Sequence, residues 1–415
     1  MKRSLAVVCA AALVLTACGT KGGDSGGGGT DESGVKTGAG VTDSTITLGV
    51  MTDKTGVFKN LGLGITQGNE LWVKDVNAAG GVCGRQVALE QVDHGYKADT
   101  AKTLYPQIEP KVLGFVQLLG SPVVAALKQN LADDEAVAAP ASWSSELLDN
   151  PYVMIVGTTY DVEMIDGLSY LQEQGMIADG DTVGHIYIDG EYGANGLRGS
   201  KHYAKQHNLD LREVKITSTD NDLTNIITGL KGDGVKAILL TTSPTQTGSA
   251  LAANKALGLN VPVLGNNPTF DPVLHKSPAA GALDKLYVVA SSVPFSADIP
   301  KAQEVAKKYK ATYSEPPNAG VPYGYAVAEV WGTVLNKACE NKDLTREGIA
   351  AALKQTTSAE TGDLVAPLDF SQEGAPATRQ VYVAQPDASA EGGMKYVKQL
   401  FEAPDAAAYT APHQK

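Results

Sequence analysis

The chain has 415 residues, 43% of them apolar, with 45 glycines and a formal net charge of −12. That length can bury more than one hydrophobic core, and the acidic balance argues against nucleic acid or an anionic lipid surface as a partner. The six histidines do not cluster, and no cysteine has a second Cys or a His at metal-ligand spacing, so no metal or other cofactor is expected.

Lys2 and Arg3 precede an apolar run over residues 5–15. The run is too short to span a bilayer and reads as a secretory signal. Its end, Leu15-Thr16-Ala17-Cys18, resembles a bacterial lipobox, which implies cleavage after residue 17 and a lipid on Cys18. The alternative is an ordinary cleaved signal that happens to contain Cys18. Residues 18–42 form a Gly-rich segment with Ser, Thr, Asp and Lys, the composition of a flexible tether. Gly23-Asp24-Ser25-Gly26-Gly27 within it satisfies G-x-S-x-G, but without a strand before and a helix after, the strained turn that motif needs cannot form. Losing residues 1–17 removes Lys2 and Arg3 and makes the body more acidic still. Cys9 leaves with the signal and Cys18 takes the lipid, so Cys83 and Cys339 remain. In an oxidising compartment an even pair suggests one disulfide, the other reading being two separate buried thiols.

The stretch 46–85 is the one around which the body is organised. Ile46, Leu48 and Val50 alternate as in a strand, residues 52–64 form a polar, glycine-rich loop, and Ile65, Trp72 and Val76 fall on one helical face. A loop that long at the carboxyl end of a first strand is read as one wall of a binding cleft. Gly62, Gly64 and Gly68 nearly match a dinucleotide fingerprint, but the final spacing is wrong. Short apolar runs at 87–92, 113–118, 137–139, 182–188, 211–216, 235–240, 261–264 and 286–290 predict buried strands. Between them, sets such as Leu223, Ile226, Ile227 and Leu230 predict amphipathic helices. Repeated strand and helix with short joins means parallel sheets wound by helices on both faces. So many strands should divide into two sheets, with the chain crossing near 156–161 and 291–298 and again after Pro367, before a strand at 381–384.

The body from about residue 45 to 385 is similar to type I periplasmic binding proteins, closest to the leucine/isoleucine/valine-type substrate-binding proteins of ABC importers. The resemblance rests on ITLGVMTDKTG, NAAGGVCGRQVALEQVDHG, LLGSPVVAAL, VAAPAS, IYIDGEYGANG and PYGYAVAEVW in that order. It implies an α/β fold of two doubly wound parallel-sheet lobes joined by a multi-strand hinge. The expected division is a signal at 1–17, the lipidated tether at 18–42, an N-terminal lobe of 43–159 plus 291–366, a C-terminal lobe of 160–290 plus 367–400, and a tail at 401–415. The implied function is an extracytoplasmic lipoprotein, anchored to the outer face of the cell membrane, that captures a branched-chain or related amino acid and delivers it to an ABC permease. The alternative is a sensor for an amide, a urea-like compound or an aromatic acid. No enzyme activity, nucleic-acid partner or membrane contact beyond the lipid anchor is expected.

Ser121-Pro122 reads as a helix start whose free N–H groups suit a carboxylate, and the resemblance implies ligand contacts there, shared with Gly120. It also implies contacts from Ser142, Trp143 and Ser144, with Trp143 as an aromatic wall or a packed surface side chain. From the other lobe, Tyr160, Asp161 and Thr242 lie at strand ends, and one of Tyr323 and Tyr325 should close the aromatic side. Amino-acid binders of this type usually carry an acid near Asn267, so an ammonium would need Asp161 or Asp271 instead. Lys54 reads as a solvated loop lysine, with pairing to a second negative group as the other reading. Asp189, Glu191 and Tyr192 read mainly as a hinge-side loop.

Overall fold

The computed structural model describes residues 29–31 and 34–414. The signal at 1–17, Cys18 and the match at 23–27 lie outside the described residues. The first described segment corrects one expectation, because the later part of the tether is folded onto the body. There β1 (Gly29–Thr30) pairs antiparallel with β2 (Lys36–Thr37), Val35 is buried, and the Thr47 N–H donates to the Gly40 carbonyl at 2.7 Å. The reason is Arg85, a buried guanidinium whose acid partner is Asp31. A buried cation without such a partner is costly, so the ion pair holds the strap down.

The chain then builds β3 (Thr45–Thr52), α1 (Lys59–Ala78), β4 (Gln86–Asp93), α2 (Ala98–Ile108), β5 (Phe115–Leu119), α3 (Ser121–Asp133) and β6 (Ala138–Ala141). Their strands form a parallel sheet of order β4-β3-β5-β6. Every residue of β5 and β6 is buried, as expected of strands covered on both faces. A second sheet takes over after α4 (Tyr160–Glu173), with β7 (Thr182–Ile188), α5 (Glu191–Gln206), β8 (Asp210–Ile216), α6 (Thr224–Gly232), β9 (Ala237–Thr241), α7 (Pro244–Ala256), β10 (Val263–Asn266) and β11 (Leu286–Ala290). The chain returns for α8 (Pro300–Thr312), α9 (Gly320–Glu340), β12 (Asp343–Leu344) and α10 (Arg346–Lys354) beside α1 and the first sheet. It then crosses once more to β13 (Val381–Pro386), β14 (Met394–Phe401) and α11 (Pro404–Ala408).

The second sheet runs β14-β13-β11-β10-β9-β7-β8 and is mixed, because β13 and β14 are antiparallel to their neighbours. β14 was not foreseen. Its single-face burial, with Lys395, Val397 and Gln399 outward, carries no apolar run, and a lysine suits an edge strand. The expected tail is likewise docked: the Ala403 N–H donates to Asp166 Oδ1 at 2.7 Å and the Tyr409 hydroxyl to Asp161 Oδ2 at 2.9 Å. Cys83 and Cys339 are joined as a disulfide with their Cα atoms 6.1 Å apart, tying the turn after α1 to the end of α9.

Three crossing segments connect the two sheets and are tied together at Ser291. Its hydroxyl accepts the Thr158 N–H at 3.0 Å and its carbonyl accepts the Ala366 N–H at 2.8 Å. Gly157, at φ +123°, has no room for a side chain, since an added Cβ would lie 2.4 Å from that hydroxyl.

Of the glycines that resembled a nucleotide fingerprint, Gly68 serves helix packing. An added Cβ on Gly68 would lie 2.3 Å from the Val321 carbonyl, and one on Gly324 2.1 Å from the Ile65 carbonyl, so α1 and α9 meet backbone to backbone. Glycine to alanine normally favours a helix, but here the new methyl would meet backbone that cannot rotate away. The expected result is that Gly324→Ala destabilises the protein by about 1–3 kcal/mol, read as a lower urea midpoint at unchanged slope.

Candidate functional site

The cleft between the sheets begins with Asp53, which is buried at the end of β3. Its carboxylate accepts the N–H groups of Thr55 at 3.1 Å, Gly56 at 2.5 Å and Phe58 at 2.9 Å, curling the loop into the start of α1. Gln117 on β5 fixes that helix from below. Its amide donates to Thr52 Oγ1 at 2.7 Å and the Gly62 carbonyl at 3.1 Å, and its oxygen accepts from Thr66 at 3.0 Å and Asn69 at 2.9 Å. The start of α1 thereby presents Val57, Phe58 and Lys59 to the cleft. The N-cap residue offers no side-chain cap and the first turn holds no acid, so the carboxylate that faces the positive end of this helix is Asp53, through the amides just before it.

Deeper in, aromatic rings fill the space. Trp143 lies 5.9 Å from Tyr160 and 5.1 Å from Tyr323, Tyr160 lies 4.7 Å from Tyr192, and Phe58 lies 4.9 Å from Tyr96, all between ring centroids. Trp143 is thus fully buried in the wall of the cleft rather than on the surface. Beside the rings the Ser142 hydroxyl donates to Ser121 Oγ at 2.7 Å. Gly120, not Ser121, is the residue that caps α3, at φ +103°, and Tyr96 covers it so closely that an added Cβ would lie 2.7 Å from the ring. The α3 terminus offers fewer donors than expected, because Pro122 has none and the Val123 and Val124 N–H groups both bond the Gly120 carbonyl. The space left between Ser121 and the rings is about 10 Å³, roughly enough for one water.

The roomy part of the cleft lies next to it, sharing Phe58, Leu61 and Pro268 as walls. This chamber holds about 390 Å³, within the range of roughly 300–1,000 Å³ usual for small-molecule sites. The first sheet's side contributes Val57 and Lys59. The second contributes Phe270, Val288, Tyr382 and Met394, with Asn267 and Asp271 at the edge. The lining is mostly apolar.

Several expected contacts are placed elsewhere by their hydrogen bonds. The Asp161 carboxylate is taken up by Thr159 at 2.5 Å, Val162 N–H at 3.0 Å, Ser145 at 2.7 Å and Tyr409 at 2.9 Å, which leaves no lone pair for an ammonium. The Thr242 side chain turns into α7 to meet Thr247 at 2.9 Å, and only its carbonyl serves the cleft, accepting the Tyr192 hydroxyl at 3.2 Å. Ser144 is buried at the start of a short turn. Tyr325 points away to Asp75 at 2.8 Å, and Lys54 is exposed, bonded to Gln91 at 3.0 Å. Asp271 lines the chamber but caps its own turn through the Val273 N–H at 2.9 Å. Asp189 is exposed and pairs with Lys215. Tyr192, from the same loop, is instead part of the aromatic set, and Phe58 and Tyr96 were not foreseen at all.

Glu163, one turn into α4, was also missed. It is fully buried, and one oxygen accepts the Asn266 amide at 3.0 Å and the Asn267 N–H at 3.2 Å. Burial raises its pKa to about 8, against the pull of those two hydrogen bonds and with help from Asp166 and Asp161. It is therefore mostly a neutral acid near neutral pH, and no fixed negative charge. Burial likewise holds the hydroxyls of Tyr160 and Tyr192 well above their ordinary range. Among the described residues no group of three or more His, Cys, Asp or Glu is arranged to hold a metal ion.

Two α/β bodies joined by three crossings, with a chamber walled by both, define a two-lobed solute-binding protein. The chain belongs to the periplasmic binding protein family, whose sequence model matches residues 45–393. It is similar to a fatty acid ABC transporter substrate-binding protein from Thermomonospora curvata, with 40% identity over 92% of this chain and 99% of that one and a TM-score of 0.90. It shares its fold with a branched-chain amino acid ABC transporter protein from Thermus thermophilus with bound valine (19% identity, 88% and 98% of the two chains, TM-score 0.77). It does so too with a leucine binding protein from Thermotoga maritima (17% identity, 87% and 99%, TM-score 0.74). No curated protein sequence matches. The family is that of ABC transporter substrate-binding proteins, which bind small ligands outside the cytoplasm and hand them to permeases; these relatives are binding proteins rather than enzymes.

Glu163 generates a pH prediction. Its pKa is higher folded than unfolded, so the folded state holds the extra proton. The stability it contributes is complete below the ordinary carboxyl range and is lost as pH rises toward about 8. Denaturation midpoints measured between pH 5 and 8 should therefore fall less steeply in Glu163→Gln than in the parent; an unchanged slope would show that Glu163 does not titrate there.

Proposed function

We propose that this is a substrate-binding protein for an apolar monocarboxylate of the fatty acid type, presented to an ABC permease. The observation that carries the reading is the division of the cleft: the polar corner at Ser121 and Ser142 has room for about one water, whereas the open chamber of about 390 Å³ is apolar. A free amino acid would bring an ammonium; Asp161 is already fully bonded, Glu163 is buried and mostly neutral, and Asp271 has one oxygen committed to the Val273 N–H. Burying an ammonium without a partner is costly. An alkyl tail instead gains about 0.8 kcal/mol for each CH₂ removed from water. The name of the relative at 40% identity, a fatty acid transporter protein, supports the same class.

The carboxylate would sit at the start of α1, where Lys59 and the first-turn amides that Asp53 does not take supply positive charge. The tail would lie along Phe270, Val288 and Met394. Since α1 belongs to one lobe and those residues to the other, the ligand gains its full contact only when the lobes are together, and that difference in affinity drives closure. Cys18 would tether the protein to the outer face of the membrane, a reading supported by the leader pattern and the glycine-rich segment behind it.

Calorimetric titration with decanoate and with leucine tests the ligand class. Decanoate is expected to bind and leucine to give no heat, while Lys59→Ala should weaken decanoate roughly two- to fivefold, as for an exposed ion pair. Binding of leucine or valine with decanoate silent would overturn the reading and return the site to amino acids.

A further inference from the structure

The chamber does not end at its own walls. A second cavity of about 420 Å³ lies further along α1 and shares Asn60, Asp271, Pro272, Val273 and Asn318 with the first. Its own apolar surface comes from Leu63, Pro316, Ala388 and Ala390, and Gln67, His275, Lys276 and Glu315 line it as well. The two cavities adjoin along one path between the lobes, meeting at Pro272 and Val273 beside the polar Asn60, Asp271 and Asn318.

Exposure points the same way. Four large apolar residues are exposed among those described: Val57 at 44%, Leu63 at 36%, Val273 at 55% and Val397 at 37%. The first three all line this path, Val57 the inner cavity, Leu63 the outer one and Val273 both. Isolated exposed valines and leucines need no explanation, but a cluster along one interlobe path does. At the junction Asp271 is held by the Val273 N–H, with its carboxylate bonded to its own turn.

Resting on the fatty acid reading, we infer that the outer cavity is a subsite for the distal half of a long acyl chain. The protein then takes long-chain rather than only medium-chain acids, with the chain end leaving past Leu63 and Val273. The inner chamber sets the class of ligand and the outer cavity sets its length.

The test is displacement of a fluorescent fatty acid from the full-length protein by saturated acids from octanoate to octadecanoate, each below its micelle concentration. The parent should bind about fourfold more tightly for each added CH₂, and the gain should continue past decanoate to hexadecanoate. Leu63→Trp and Ala388→Trp, both at exposed positions that line only the outer cavity, should leave octanoate unchanged and bring hexadecanoate back to the affinity of decanoate. If octanoate and decanoate bind but the gain stops there, or if both tryptophan variants bind hexadecanoate like the parent, the subsite is refuted while the ligand class stands. If no acid of any length displaces the probe, the ligand class and the subsite both fall.

Discussion

Ser291 is the constraint on which the rest depends. Through one hydroxyl and one carbonyl it holds the first and third crossings against the second, and Gly157 must be a glycine to let that hydroxyl in. With Val293 N–H bonded to the Leu364 carbonyl at 3.0 Å, the three segments form a short hydrogen-bonded ribbon. Everything in the cleft is measured from that ribbon, because the start of α1 approaches from one side of it and the 267–273 loop from the other.

The chemistry of the cleft follows from what each lobe brings to the meeting line. The first sheet ends in a loop several of whose polar groups are taken up internally by Asp53 and Gln117, and Val57, Phe58, Lys59, Asn60 and Leu61 are left to face the chamber. The second sheet brings tyrosines, apolar strand ends and a buried acid that burial keeps mostly neutral. Asp271 is the chamber carboxylate an ammonium would meet, with one oxygen already on the Val273 N–H, whereas the apolar lining rewards an alkyl group. Aromatic contacts of this kind add about 0.5–1.5 kcal/mol each beyond the area they bury, so the filled corner also stiffens the site.

How far the sequence speaks depends on whether a feature is local. The parallel strands are continuous apolar runs, and those at 182–188 and 286–290 fall on β7 and β11. Ser121, Ser142, Trp143, Tyr160 and Tyr323 stand at strand ends or helix starts, and for Ser121, Ser142 and Trp143 it was the family resemblance that implied a place in the cleft. β14 pairs with its hairpin neighbour β13 but carries no apolar run to announce it, while the strap at 29–31 and 34–42 and the docked residues 403–409 were illegible, since each is held by a partner far away in the chain, Arg85 and α4. The chamber was hidden for the same reason. Phe58, Phe270, Val288 and Met394 converge only when two sheets and a hinge are in place, and no spacing in the sequence announces it. Glu163 looked like one more polar helix position, and only its burial against Asn266 and Asn267 distinguishes it.

The most direct measurement is a crystal structure of the protein with decanoate bound. The expected result is a carboxylate within hydrogen-bonding distance of the first amides of α1 and beside Lys59, with the chain lying between Phe270 and Met394. Density that places the carboxylate at Ser121 and Ser142, with a tyrosine ring displaced to admit it, would contradict the assignment of the chamber as the ligand site.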